Sequence, residues 1–220
     1  MTRSIVLSGI GGQGTVLASR LIASVALSRG VPVRTAETIG MAQRGGTVLT
    51  HVRYGDTPTD VPHTSLVPLG AASLAIAFEP GEAQRVLPYL TPDAAMVVAR
   101  RAIPPTTATL AGVDYDGSDQ LAYLKQQVPT LVVVDGDAVC RALGNPRVLN
   151  VVLLGAAAGT GMLGMEANEL ACAVERLVKP AFIDINKQAL EAGERIARAQ
   201  SSELAGTVPD HGARRWQPLG

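Results

Sequence analysis

The chain has 220 residues, of which 47% are hydrophobic and 3% aromatic, with 19 Lys and Arg against 19 Asp and Glu. This length indicates one domain, or one domain with a small appendage, and the zero net charge excludes a protein that binds nucleic acid or another polyanion through bulk charge. The two cysteines, Cys140 and Cys172, are too few for the four thiolates of an ordinary iron–sulfur cluster or for a cysteine-rich zinc site.

Short apolar runs alternate with helical patterns along the chain. The first run, 4–7, is followed by a glycine-rich turn at 9–14 and a helix at 15–29, which Gly30 ends. Further strands are predicted at 31–35, 47–54, 74–78, 95–99 and 130–134, and further helices at 81–90, 119–127, 138–143, 148–161, 166–177 and 187–205. This alternation predicts an α/β fold, a single three-layer α/β/α domain with a mainly parallel, Rossmann-like sheet.

The sequence predicts neither a secretory signal nor a membrane-spanning segment. The first residues are too few and too often glycine for a secretory signal, so a cytoplasmic location is expected. The longest uncharged stretch, 148–165, contains Asn150 and four glycines, and we interpret it as a buried helix. We expect residues 1–204 to form the domain and residues 205–220 to form a flexible tail.

The glycine-rich turn Gly-Ile-Gly-Gly-Gln-Gly at 9–14 lies between a predicted strand and a predicted helix. Only in that context does such a pattern indicate a binding turn. Glycines allow close approach, so that backbone N–H groups and the positive end of the helix can surround a phosphate or carboxylate. Gly11, Gly12, Gln13 and Gly14 are therefore candidate binding residues, although a tight turn without a ligand is also consistent with the pattern. A Walker A loop is disfavoured because Thr15, and no lysine, follows the last glycine.

The same turn leaves a dinucleotide site open as an alternative. Such a site needs an acidic residue at the end of the second strand to bind the ribose, and Glu37 is the nearest candidate. Arg34 could suit a ribose phosphate instead. A stand-alone oxidoreductase that binds NAD(P) or a flavin is thus one alternative, and a non-catalytic interaction subunit is another.

A second polar, glycine-rich segment at 37–46 contains Gln43 and Arg44. Loops that follow parallel strands collect at one edge of the sheet, so this segment is expected beside the first turn. The planar guanidinium of Arg44 suits a carboxylate, a phosphate or a partner's backbone, but a solvated loop in which Arg44 pairs with Glu37 is equally consistent. Glu79 follows a strand at the same edge, either as a site residue or as an acidic residue that favours a helix start.

Four segments together resemble the gamma domain of the 2-oxoacid:ferredoxin oxidoreductases, and most of all the small, separate subunit of the indolepyruvate enzymes. They are Gly-Ile-Gly-Gly-Gln-Gly at 9–14, Thr-Ile-Gly-Met-Ala-Gln-Arg-Gly-Gly-Thr at 38–47, Ala-Phe-Glu-Pro-Gly-Glu-Ala at 77–83 and Asn-Val-Val-Leu-Leu-Gly-Ala at 150–156. The similarity covers roughly residues 3–200, and the first two segments are specific only in combination.

The resemblance implies an accessory subunit that is inactive alone. In such complexes an aryl 2-oxoacid is decarboxylated on thiamine diphosphate, coenzyme A takes the acyl group, and iron–sulfur clusters pass electrons to ferredoxin. Thiamine diphosphate and the clusters are expected in a larger partner subunit, in agreement with the two cysteines here. The gamma domain helps to shape the coenzyme A side of the site, which assigns Gly11, Gly12, Gln13, Gly14, Gln43 and Arg44 to an anion or subunit contact. A surface meant for a partner predicts a homodimer when the chain is produced alone.

Overall fold

The computed structural model describes residues 1–40, 46–104, 109–110, 112 and 114–205. The strands are β1 (Thr2–Ile10), β2 (Val33–Ile39), β3 (Thr47–Gly55), β4 (Ala72–Ala77), β5 (Leu90–Ala99) and β6 (Thr130–Val134). The α-helices of the described residues are α1 (Thr15–Ser28), α2 (Pro80–Arg85), α3 (Ser118–Gln127), α4 (Gly136–Ala142), α5 (Leu149–Gly159), α6 (Ala167–Leu177) and α7 (Ile183–Ala205). Short 3-10 turns at Leu87–Tyr89, Pro146–Val148 and Pro180–Phe182 precede β5, α5 and α7.

The strands form one sheet in the order β2-β3-β1-β4-β5-β6. Neighbours from β1 through β4 and β5 to β6 are parallel, whereas β3 is antiparallel to both β1 and β2. The connection from β2 to β3 is too short for a parallel crossover, which needs a dozen or more residues, so β3 must run back along its neighbour. The predicted mainly parallel sheet is confirmed, with β3 as its exception.

Helices cover both faces of the sheet, and alternate residues of β1 point to the two layers. Ile5 and Leu7 lie in a core shared with α1, α5, α6 and α7. Val6 lies in the opposite core, to which α2 contributes Ala83 and α3 contributes Leu124. All five of these side chains are fully buried. The predicted three-layer α/β/α arrangement is therefore confirmed.

The contact between α5 and α7 explains how a chain with few aromatic residues fills its core. A Cβ atom on Gly159 would lie 2.8 Å from Ala197 Cβ and 2.9 Å from the Glu194 carbonyl oxygen. A Cβ atom on Gly193 would lie 2.7 Å from Ala156 N and would overlap the Val152 carbonyl oxygen. The two helix backbones thus touch at positions where only glycine fits.

Several predicted boundaries were wrong, among them the strand predicted at 31–35, which is Val33–Ile39, and the helix predicted from 187, which begins at Ile183. The helix predicted at 81–90 ends at Arg85, and Leu90 already belongs to β5. Pro88 accounts for the difference, because proline lacks the N–H group and its ring collides with the preceding helical turn. The strand predicted at 4–7 extends over 2–10, so Gly9 and Ile10, the first two residues of the glycine-rich segment 9–14, also form its last pairs with β3.

The uncharged stretch identified in the sequence contributes α5, which contacts the sheet and α7. In the described part of the chain, no helix combines the length and apolar character needed to span a bilayer. Residues 206–220, most of the predicted tail, lie outside the described residues, so the division at 204–205 stays a prediction.

Candidate functional site

The candidate site lies where the carboxyl ends of β1 and β4 meet. β1 continues into α1 on one face of the sheet, and β4 continues into α2 on the other. In open α/β sheets, a crevice at such a change of direction is the usual position for a ligand. The glycine turn at 9–14 and the residues that follow β4 form the two sides of this crevice.

Gln13 spans the crevice with its side-chain amide. Its Oε1 accepts a hydrogen bond from the Ile10 N–H at 2.6 Å, and its Nε2 donates to the Phe78 carbonyl oxygen at 3.2 Å. A Cβ atom on Gly9 would lie 2.7 Å from Gln13 Oε1 and 2.9 Å from Phe78 Cβ, so the crevice has no room beside the amide. Gln13, a predicted binding residue, thus has both ends of its amide hydrogen-bonded within the chain.

The middle of the turn faces solvent. Gly11 and Gly12 are exposed, and Gly12 and Gly14 have φ of 99° and 87°, a conformation that favours glycine. Among the described contacts of α1, no side chain caps its N-terminus and no acidic residue lies in its first turn. An uncapped helix start beside exposed glycines is chemically suited to a phosphate or carboxylate. Anion binding at this turn stays a prediction.

Asn150 at the start of α5 supports the turn from the interior. Its Nδ2 donates to the Gly14 carbonyl oxygen at 3.3 Å, and only 4% of the residue is exposed. A Cβ atom on Gly14 would lie 2.7 Å from this nitrogen. Sequence reasoning placed Asn150 in a resembling segment but assigned it no role. A polar residue at the start of a long uncharged run was the signal that could have identified it.

The two predicted segments lie side by side, as expected. The Gly11 N–H donates to the Gly46 carbonyl oxygen at 3.0 Å, and Ile10 pairs with Thr47. The Gly40 N–H donates to the Thr47 carbonyl oxygen at 2.9 Å, which joins the end of β2 to the start of β3. The predicted site residues Gln43 and Arg44 lie outside the described residues.

Glu79 caps the start of α2, as expected for an acidic residue that favours a helix start. Its Oε1 accepts from the Glu82 N–H at 2.5 Å, and its Oε2 accepts from the Tyr115 hydroxyl at 3.0 Å. Desolvation, together with the nearby Glu79 carboxylate, raises the pKa of Tyr115 to about 12. Tyr115 therefore keeps its proton at neutral pH and ties its own segment to the start of α2.

Glu82 is a buried carboxylate that sequence reasoning did not identify as functional. Its Oε1 accepts from Thr47 Oγ1 at 2.9 Å and lies 3.2 Å from Arg85 Nε. Its Oε2 lies 3.2 Å from Ser8 Oγ. Burial raises the pKa of Glu82, against the smaller lowering effects of the Thr47 hydrogen bond and the Arg85 charge. The carboxylate thus connects the ends of two strands to α2.

The residues considered for a dinucleotide site are not placed for one. Glu37 lies on β2, and β3 separates that strand from β1 and its glycine turn. Arg34 Nε donates to the Pro62 carbonyl oxygen at 2.7 Å. A dinucleotide site would bring the acidic residue to the strand beside the glycine turn, so this geometry does not support the alternative.

The donor set does not suit an iron–sulfur cluster. Cys140 is buried on α4 and Cys172 is exposed on α6, and four thiolates are needed where the chain has two. In the described ranges, which omit 41–45, 105–108, 111, 113 and 206–220, no three His, Cys, Asp or Glu side chains are grouped to hold a metal ion.

Comparison with known proteins identifies relatives along nearly the whole chain. The family model for pyruvate ferredoxin/flavodoxin oxidoreductase matches residues 4–196. Indolepyruvate oxidoreductase subunit IorB of Archaeoglobus fulgidus is 34% identical over 194 residues, covering 88% of this chain and 94% of the relative. The subunit of the same name from Pyrococcus horikoshii is 32% identical over 197 residues, covering 89% of this chain and 96% of the relative.

Two solved structures share the fold. The gamma subunit of keto/oxoacid ferredoxin oxidoreductase from Geobacter sulfurreducens superimposes with a TM-score of 0.64 at 21% identity, covering 90% of this chain and 99% of that one. Pyruvate oxidoreductase subunit PORC from Thermotoga maritima gives a TM-score of 0.64 at 19% identity, covering 88% of this chain and 96% of that one.

Proposed function

The chain belongs to the pyruvate ferredoxin/flavodoxin oxidoreductase family, and we propose that it is an accessory subunit of a 2-oxoacid:ferredoxin oxidoreductase of the indolepyruvate type. The observation that carries this proposal is the match, at 34% and 32% identity, to two relatives whose names describe indolepyruvate oxidoreductase subunits. Each match covers more than nine-tenths of the relative's length.

The proposed complex converts an aryl 2-oxoacid and coenzyme A to an acyl-CoA and carbon dioxide. The bond to the carboxylate carbon breaks, a thioester bond forms, the thiol proton is released, and two electrons pass to ferredoxin. In this family thiamine diphosphate supplies the carbanion chemistry and iron–sulfur clusters supply the electron transfer. We assign both to a larger partner subunit; for the clusters the support is that two cysteines on separate helices cannot supply four thiolates.

The contribution of this chain is to bind an anionic part of coenzyme A, or to contact the partner, at the edge formed by the glycine turn. Exposed Gly12 and the uncapped start of α1 support an anion there, beside Gly11, whose N–H is bound to the Gly46 carbonyl oxygen. Gln43 and Arg44 are assigned to the same edge on the basis of the sequence alone. Gln13 serves the same edge by holding the turn against β4.

Several large apolar side chains remain exposed. They include Leu27, Leu66, Leu69, Leu110, Leu177 and Phe182. We expect some of them to contact the partner, and to drive formation of a homodimer when the chain is produced without it; light scattering that gave a monomer at high concentration would contradict this. Ferredoxin as the electron acceptor and a cytoplasmic location belong to the same proposal.

Purification of the tagged chain from its own cells tests the proposal. The expected result is a co-purifying larger subunit that carries thiamine diphosphate and iron, identified by mass spectrometry and metal analysis. The complex should reduce a viologen dye with an arylpyruvate and coenzyme A, and should stop when coenzyme A is left out. Dye reduction by the isolated chain, or a complex without a thiamine-dependent subunit, would overturn the assignment.

A further inference from the structure

Glu82 holds together the two strand ends that border the candidate site. Ser8 lies near the end of β1, directly before the glycine turn, and Thr47 is the first residue of β3. Their hydroxyl groups lie 3.2 Å and 2.9 Å from the two carboxylate oxygens of Glu82. The three residues are far apart in sequence, so this contact is a tertiary connection and not part of a turn.

Thr47 connects this carboxylate to the glycine turn. Its backbone pairs with Ile10, and its carbonyl oxygen accepts from Gly40 at 2.9 Å. The preceding carbonyl, that of Gly46, accepts from the Gly11 N–H. Any displacement of the start of β3 therefore moves the hydrogen-bond acceptor on which the exposed side of the turn depends.

The chemistry of Glu82 suits a positioning role better than a packing role. The side chain of Glu82 is 7% exposed, and burying a carboxylate is unfavourable unless donors compensate it. An apolar side chain would fill the same space without that cost. Thr47 donates to one carboxylate oxygen, and the Ser8 hydroxyl lies 3.2 Å from both the other carboxylate oxygen and the Glu82 carbonyl oxygen. Glu82 thus limits the distance between the two hydroxyl groups. Arg85, which is 68% exposed, adds a weaker, solvent-screened charge.

We propose that Glu82 is a positioning residue that sets the separation between the glycine turn at 9–14 and the start of β3, and through it the affinity of this edge for coenzyme A. The coenzyme A part rests on the proposed function, whereas the structural part does not. Glu82 acts through Thr47 and the turn and makes no contact with the reacting atoms.

Hydrogen exchange followed by mass spectrometry on the full chain tests the structural part. Thr47→Val removes the hydroxyl while keeping the shape of the side chain, and amides in 9–13 and 46–50 should exchange roughly ten-fold faster, with α6 and α7 unchanged. Glu82→Ala should give the same pattern. Glu82→Gln should behave like the wild type, because its amide can still bridge both hydroxyls.

Thr64→Val is the matched control, since Thr64 binds Arg53 at the other end of β3 and its substitution should leave both peptides unchanged. Unchanged exchange in Thr47→Val would overturn the positioning role.

Steady-state kinetics of the complex with its partner test the second part. Thr47→Val should raise the KM for coenzyme A roughly ten-fold while kcat stays within about two-fold, because the contact affects binding and not the chemical step. Thr64→Val should change neither value. Faster exchange with an unchanged KM would overturn the link to coenzyme A and leave the structural role in place. A wild-type complex without arylpyruvate turnover would overturn the proposed function, and the exchange result would still decide the role of Glu82.

Discussion

Gln13→Ala tests whether the glycine turn is held by the side chain inside it. The substitution removes two hydrogen bonds, of 2.6 Å to the Ile10 N–H and 3.2 Å to the Phe78 carbonyl oxygen. Each contributes about 1 kcal/mol net, and the Phe78 carbonyl belongs to a residue that is only 1% exposed and loses a donor. We therefore expect the free energy of unfolding to fall by about 2 to 3 kcal/mol.

Urea unfolding followed by circular dichroism at 222 nm measures this loss, and thermal unfolding should show a decrease in Tm of roughly 5 to 10 °C. Gln126→Ala is the matched control, because Gln126 is exposed on α3 and its removal should change stability by less than about 0.5 kcal/mol. Gln13→Glu should cost at least as much as Gln13→Ala, since it keeps the acceptor for Ile10 but directs a carboxylate oxygen at the Phe78 carbonyl. If Gln13→Ala unfolds like the control, Gln13 does not brace the turn, and a direct ligand contact becomes the better interpretation.

Three further predictions concern the packing, the buried carboxylate and the sheet edge. Gly193→Ala improves helix propensity by about 1 kcal/mol but places a methyl group against the Val152 carbonyl oxygen. Urea unfolding should therefore show a net loss of about 2 kcal/mol in the free energy of unfolding. A stabilised variant would contradict the close packing of α5 and α7. Burial raises the folded-state pKa of Glu82 above its unfolded value, so ionisation disfavours the folded state. Relative to Glu82→Gln, wild-type stability should therefore fall as the pH rises from the ordinary carboxyl range towards neutrality, and unfolding curves whose difference is independent of pH would refute this. Gln200 hydrogen-bonds both the N–H of Val133, at 3.0 Å, and its carbonyl oxygen, at 2.8 Å, on the outer edge of β6. Gln200→Ala should open that edge and increase self-association in light scattering, and an unchanged particle size would show that the edge is protected in another way.

The architecture could be predicted because it follows from local patterns. Short apolar runs and amphipathic segments locate the strands and helices, and their alternation predicts the layers. The direction of β3 could have been predicted as well, from the short connection after Ile39. The early start of β5 was missed because the apolar spacing around Leu90 fits a helix. Pro88 ends that helix through its missing N–H group and its ring, and hydrophobic spacing does not report either effect.

The candidate site was only partly predictable, because its geometry depends on contacts between distant residues. Gln13 is separated from Phe78 by 65 positions, and Glu82 from Ser8 by 74. A glycine-rich turn with a glutamine in it predicts the same local shape whether the amide points to solvent or across the crevice. Only the packing of β4 against β1 determines that Gln13 points inward, while Gly11 and Gly12 stay exposed.

This arrangement changes what the turn can do. In a doubly wound fold the ligand enters the crevice between the strands and is surrounded by one chain. Here the amide of Gln13 occupies that crevice, and Gly11 and Gly12 lie exposed outside it. An anion bound by the Gly12 N–H and the start of α1 would rest on the surface of the subunit and be contacted from one side, so we expect tight binding to need donors from a second chain. The exposed turn is in keeping with the proposed role of the protein as a subunit, and we expect its affinity for coenzyme A to be weak in the isolated chain and strong in the complex.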